Sequence, residues 1–109
     1  MPARGGELGA PHTAEIPYAF DSLAHAEPLI GSVTPREQAL ADKVSLAWTS
    51  FAKTGNPNNK LMPKWKPYNT KERPIMVIDD APKLVDDPLH DSRIIISELR
   101  AKYFPAPSA

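Results

Sequence analysis

The chain has few groups able to move a proton near neutral pH. It holds three histidines, His12, His25 and His90, and no cysteine. An imidazole, with an ordinary pKa near ~6.5, can take and return a proton at pH 7. Only His12 stands in a patterned stretch, Gly9-Ala10-Pro11-His12-Thr13-Ala14-Glu15-Ile16-Pro17-Tyr18-Ala19-Phe20. Pro11 lacks an N–H and holds the residue before it extended, so Gly-Ala-Pro is not helix interior and His12 falls on a loop or at an element start. Glu15, three residues on, shares its face if a helical turn begins there. Ile16, Tyr18 and Phe20 supply apolar anchors around Pro17. A histidine pinned in this way suits general base and acid chemistry. It is equally an ordinary loop histidine in contact with water, and these residues alone favour that plainer reading.

The remaining polar clusters carry less. Asp79, Asp80, Asp86 and Asp87 lack the Asp-x-Asp-x-Asp-Gly loop and distal Glu of a calcium site, so they read as solvated turn carboxylates. With no cysteine there is no disulfide and no cysteine-based metal site, and the sequence implies neither metal nor cofactor. His25 and His90 read as surface histidines.

Composition sets the limits. A chain of 109 residues makes one small domain at most, and its 41% hydrophobic content permits a core. A chain of this size buries only about 60–70% of its unfolded surface. Its 13 prolines are spread along the sequence, which means many short connections. The 13 basic and 13 acidic residues cancel, so the basic footprint of a nucleic-acid binder is absent. No apolar run reaches membrane-spanning length.

The elements that must position His12 follow from local pattern. Residues 1–11 read as a flexible lead, 12–20 as a loop with one or two helical turns, and 21–33 as loop, interrupted by Pro28 and Gly31. Thr34-Pro35-Arg36-Glu37 is a capping box with proline at the first helical position. Leu40, Val44, Ala47, Trp48 and Phe51 then form one helical stripe, and Gly55 and Pro57 close a helix over 35–54. Burying Leu40, Val44, Trp48 and Phe51 is worth roughly 1.5–3 kcal/mol each, so the stripe needs a partner surface. Residues 55–74 read as a long loop in which Trp65 and Tyr68 pack toward that helix. Ile75-Met76-Val77-Ile78 reads as a strand with Lys83-Leu84-Val85 as hairpin partner. A final helix spans 90–103, with Ile94, Ile95, Leu99 and Tyr103 on its apolar side and Arg100 and Lys102 suited to its C-terminal dipole. Residues 104–109 form a fraying tail.

Taken in order, these motifs resemble the C-terminal end of the type-B carboxylesterases, the carboxylesterase/cholinesterase branch of the α/β-hydrolases. The family's histidine segment reads Gly-Ala-x-His-Gly-x-Glu-Leu/Ile-Pro-Tyr-x-Phe. Gly9, Ala10, His12, Glu15, Ile16, Pro17, Tyr18 and Phe20 stand at that spacing, with a polar break at Asp21-Ser22. Thr13 departs from it, standing where the family has glycine. The family's next helix, Asp-x-x-x-x-x-Trp-x-x-Phe-Ala-x-x-Gly-x-Pro-Asn, is matched by Asp42, Trp48, Phe51, Ala52, Gly55, Pro57 and Asn58. A Trp-x-Pro-Tyr loop (Trp65, Pro67, Tyr68), a strand of the Met-Val-Ile-Asp type and a terminal helix follow in the family's order.

The resemblance implies an α/β-hydrolase C-terminal fragment, mainly helical, with a short β-hairpin or strand near 75–85. Residues 12–103 would be the C-terminal part of a carboxylesterase domain, and His12 the catalytic histidine. Esterases of this fold use a serine nucleophile in a Gly-x-Ser-x-Gly elbow, then an acid, then the histidine. None of Ser22, Ser32, Ser45, Ser50, Ser92, Ser97 or Ser108 has elbow context. The nucleophile, acid and oxyanion donors would lie upstream of Met1, and Glu15 would help hold the histidine loop. The implied function is part of a serine carboxylic-ester hydrolase, taking an ester substrate only together with the upstream part. Alone, the chain should be inactive and should self-associate through uncovered apolar faces. A non-catalytic interaction module and a truncated gene product of the same family remain alternatives, as does an unrelated small protein.

Overall fold

The computed structural model describes residues 3–105; positions 1–2 of the expected lead and 106–109 of the tail, Ser108 included, lie outside the described residues. The organising element is a 20-residue helix, here α3, spanning Pro35–Thr54 as the sequence predicts. Its N-terminus is closed by its own side chains. The Arg36 N–H donates to Thr34 Oγ1 at 3.2 Å, and the Thr34 N–H donates to Glu37 Oε2 at 3.1 Å. The Thr34 hydroxyl also meets the Glu37 carboxylate, whose pKa is held below its ordinary value mainly by that contact. At the other end Gly55 turns left-handed (φ 73°) and its N–H returns to the Phe51 carbonyl at 2.7 Å.

The stretch before α3 is more structured than its prolines suggest. Ala3–Gly6 makes tight turns in which Arg4 and Gly5 have positive φ. One helical turn, α1, spans Ile16–Ala19, a 3-10 turn spans Leu23–His25, and another helical turn, α2, spans Glu27–Ile30. The expectation of plain loop over 21–33 therefore fails. Pro28 sits in the first turn of α2, where its missing N–H would have no intrahelical partner and its fixed φ suits the helix. The residue read as a breaker is an initiator there. Gly31 (φ 89°) ends that turn. α1 packs on α3.

After α3, strands β1 (Pro74–Val77) and β2 (Lys83–Asp86) form a two-stranded antiparallel hairpin. Its register pairs Ile75 with Val85 and Met76 with Leu84. The hairpin lies over the middle of α3. Ala47, Met62 and Met76 form a small buried cluster, with Trp65, Ile78 and Leu84 packed against it. Arg36 Nε donates to Asp80 Oδ2 and Lys43 Nζ to the Asp80 carbonyl, each at 2.7 Å, so the polar face of α3 grips the hairpin tip. Asp80 is an ion-paired residue, not the free turn carboxylate the sequence suggests.

Burial along α3 differs from the predicted stripe. Its buried residues are Ala41 and Ala47, whereas Trp48 and Phe51 are 63% and 57% exposed. Ala47 meets Met62 and Met76 in the buried cluster and α1 packs on the helix, while the two large rings stay outside the buried set. Among the described residues the buried apolar set is Leu23, Ala41, Ala47, Met62 and Met76, and no large side chain is fully buried.

The last helix, α4, spans His90–Tyr103 and buries none of its residues. Its start is fixed by Asp87, which has positive φ (45°). Arg93 donates to Asp87 through Nε (2.9 Å) and Nη2 (2.6 Å), and His90 Nδ1 lies 2.7 Å from the same carboxylate. The Asp87 N–H in turn donates to the Arg73 carbonyl at 3.1 Å, joining the helix to the end of the hairpin.

Two outcomes follow from these contacts. Thr34→Ala should lower unfolding free energy by about 1 kcal/mol, read as a shift in urea midpoint, because it removes the N-terminal cap of α3. The second concerns acid. Arg93, then His90, hold the Asp87 carboxyl well below the usual carboxylate range. A carboxylate with a depressed folded pKa stabilises above its unfolded pKa, and that contribution fades as pH falls through the folded value. Protection of α4 amides should therefore decline below about pH 4, and in Asp87→Asn it should already be low at pH 7 and nearly flat on acidification.

Candidate active-site histidine loop

His12 occupies the second position of a turn in which the Ala14 N–H donates to the Pro11 carbonyl at 3.2 Å. Thr13, the third residue, has φ 74°, whereas His12 is not among the residues with positive φ. A positive φ at the third position alone is the mark of a type II turn, which ordinarily wants glycine there. The turns then run on. The Ile16 N–H meets the Thr13 carbonyl at 3.1 Å, and the Glu15 carbonyl accepts from Tyr18 and Ala19 at 3.1 and 3.0 Å. His12 is thus carried at the head of consecutive turns leading into α1.

α1 anchors this loop through other residues than the pattern suggested. Pro17 is buried and Tyr18 half-buried, while Ile16 and Phe20 are 46% and 79% exposed. Burial raises the Tyr18 phenol above its ordinary pKa, with the nearby Glu37 carboxylate adding to the effect. Beyond α1, Gln38 Nε2 of α3 donates to Asp21 Oδ1 at 2.7 Å and to Asp42 Oδ1 at 3.0 Å. The sequence marks Asp21 only as part of a polar break and carries no signal for its pairing with Gln38, which arises only when α1 folds back on α3. Behind the loop lies a hollow of about 160 Å³ lined by Leu8, Gly9, Pro11, Ala14, Tyr18 and Leu29, among others.

The His12 side chain is exposed. Among the described residues no hydrogen bond or ion pair reaches its ring or the Glu15 carboxylate, and Glu15 supports the turns through its backbone carbonyl. No hydroxyl of a described serine hydrogen-bonds a histidine ring. His90 is the histidine with a carboxylate partner, but that carboxylate is committed to Arg93 as well. Asp79, Asp80, Asp86 and Asp87 do not converge: among the described residues no group of three or more His, Asp or Glu could hold a metal ion.

The carboxylesterase family model matches residues 2–96. The chain belongs to the carboxylesterase family. It is 30% identical over 96 residues to the para-nitrobenzyl esterase of Bacillus subtilis (strain 168), a match covering 87% of this chain and 18% of that protein. It is 29% identical over 82 residues to the phenmedipham hydrolase of Pseudarthrobacter oxydans, covering 72% of this chain and 17% of the relative. Among solved structures it superposes on a thermophilic para-nitrobenzyl esterase with a TM-score of 0.71 at 31% identity, covering 76% of this chain and 17% of the other. A Geobacillus stearothermophilus carboxylesterase gives 0.67 at 32% identity, covering 76% and 18%. The fold is that of part of an α/β-hydrolase esterase, and the chain spans less than a fifth of the length of these relatives.

A β-branched residue at φ 74° is strained by roughly 1–3 kcal/mol. Thr13→Gly removes the strain and gives back about 0.4–1 kcal/mol in unfolded-chain entropy. The variant should gain about 1 kcal/mol in chemical denaturation, whereas Thr13→Val should lose or show no change.

Proposed function

We propose that this chain is the portion of a serine carboxylic-ester hydrolase that supplies the catalytic histidine, His12, and the helices around it. The supporting observation is the match between backbone and motif. His12 stands in the family's Gly-Ala-x-His spacing, and the following position has the left-handed backbone that the family meets with glycine, although threonine is present. The chemistry asks for an imidazole that can approach a serine hydroxyl to about 2.6–3.2 Å, take its proton, and later return one to the leaving alcohol. An exposed ring with neither of its nitrogens engaged by a described neighbour is free to do this. Domain residues 12–103 form the unit that presents it.

By this reading the lone chain does not hydrolyse esters, because the serine, its acid and the oxyanion donors belong to the rest of the enzyme. Esters are the substrate class only for the whole assembly. The exposed rings of Trp48 and Phe51 and the bare face of α4 favour self-association of the lone chain.

Complementation is the test. The chain is combined with an upstream fragment carrying a Gly-x-Ser-x-Gly elbow, and hydrolysis of a short nitrophenyl ester is followed. Activity should appear only in the mixture and should fall at least about 10³-fold in His12→Ala, as loss of a triad member does. Activity of the lone chain that is lost in His12→Ala would reveal a nucleophile within these residues and overturn the reading.

A further inference from the structure

The His12 ring is exposed and no described side chain bonds it, so its placement comes from its backbone. That backbone belongs to a run of overlapping turns. Carbonyl and N–H pair as Pro11 with Ala14, Thr13 with Ile16, Glu15 with Ala19, Ile16 with Phe20 and Pro17 with Ser22, at 2.9–3.2 Å. Each turn begins inside the one before it. Residues 11–22 are therefore one connected piece, with His12 near one end and Asp21 near the other.

The Asp21 end is tied to α3 by directional bonds. Gln38 Nε2 gives one hydrogen to Asp21 Oδ1 at 2.7 Å and the other to Asp42 Oδ1 at 3.0 Å. An amide nitrogen has two hydrogens to give and its oxygen only accepts. With a carboxylate on each hydrogen, the carboxamide has one orientation, since turning it over would set its oxygen against two negative groups. Asp42 lies four residues further along the same helix and holds Gln38 ready for Asp21. Asp21 has φ 49°, a backbone that aspartate tolerates better than most residues, and it stands between α1 and the 3-10 turn at Leu23–His25.

α1 otherwise meets α3 through apolar groups, with Pro17 buried and Tyr18 half-buried. Apolar burial is non-directional, so it brings the two helices together without fixing how α1 is rotated. The amide clasp supplies that direction. All three of its side chains belong to this chain, so it does not wait on the rest of the enzyme. We propose that Gln38 is a positioning residue for His12: through Asp21 it fixes the direction in which the turns present the imidazole. The proposal rests on the reading of His12 as the catalytic histidine. Its requirement is a donor to two carboxylates, not a side chain of glutamine's size.

Three variants separate those demands. Gln38→Glu keeps the size and sets a third carboxylate against Asp21 and Asp42, whereas Gln38→Lys keeps donors for both. The three side chains have similar helix propensity, so α3 should form alike in each. Asp21→Gly removes the acceptor and suits the positive φ. In the mixture with the elbow-bearing upstream fragment, Gln38→Glu should lose about ten- to a hundredfold in kcat with KM little changed, the scale of a small misplacement. Gln38→Lys should recover most of that loss. Asp21→Gly should match Gln38→Glu, and the double variant should lose no more than either alone. Equal kcat in the Glu and Lys variants, a raised KM with kcat intact, or additive losses would each overturn the proposal. The isotope-labelled lone chain gives a readout free of catalysis. Backbone order parameters over residues 12–16 should fall from about 0.85 toward about 0.6 in Gln38→Glu while those of α3 hold, and unchanged values would overturn the proposal. If the wild-type mixture hydrolyses no ester, the reading of His12 fails, and the order parameters still decide whether Gln38 holds the loop.

Discussion

Closure of α3 at both ends is the constraint on which the rest of this chain depends. A helix of this length is marginal in water by itself, and its own buried residues are two alanines, Ala41 and Ala47. Side-chain capping by Thr34 and Glu37 and the left-handed Gly55 satisfy end groups that burial does not reach. The segments around α3 then attach to it by polar clasps as much as by apolar contact. Asp21 is held by Gln38, and Asp80 by Arg36 and Lys43. These clasps are exposed and individually weak, so they orient the attached pieces without adding much stability. The histidine loop inherits its position from this arrangement, through α1 and Tyr18.

Local signals read well where they were strong and self-contained. The capping box, the terminal glycine and the apolar period defined Pro35–Thr54, and β-rich runs flanked by aspartates defined the hairpin to within a residue. What the sequence hid has physical causes. Proline at the start of a single-turn helix looks like a breaker, so Glu27–Ile30 read as loop. Alanine has too little surface to mark a buried face, so Ala41 and Ala47 were overshadowed by Trp48 and Phe51. Aspartates read as solvated because their partners are distant in the chain, as Arg36 is from Asp80, or lie in the next helix, as Arg93 does for Asp87. His12 was legible as a candidate only through the motif around it, since its spacing to other titratable groups is uninformative. Thr13 was legible as a departure from the motif, and its positive φ (74°) is a conformation that ordinarily favours glycine.

The chain's two apolar surfaces differ in kind. The bare face of α4 carries Ile95, Ile96 and Leu99 on an outward helix with no concavity and mixed charge around it. Beside α3, Trp48, Phe51, Trp65 and Tyr68 line a groove that Asn58 braces and Lys64 and Lys66 edge.

The Arg36–Asp80 contact joins residues 44 positions apart. The elements in that span are themselves local: a capped helix, an asparagine-braced loop and a tight hairpin. With helix and hairpin formed, the flexible part of that span is residues 55–73, and closing a loop of that length costs about 2.5 kcal/mol in chain entropy by the logarithmic law, before any constant term. Helix and hairpin therefore have every reason to form early, on timescales of microseconds. Their docking is the step that waits, because its entropy must be met by a small methionine–alanine cluster and two exposed cations. Asp80 at the hairpin tip orients that docking, and the buried cluster carries its stability.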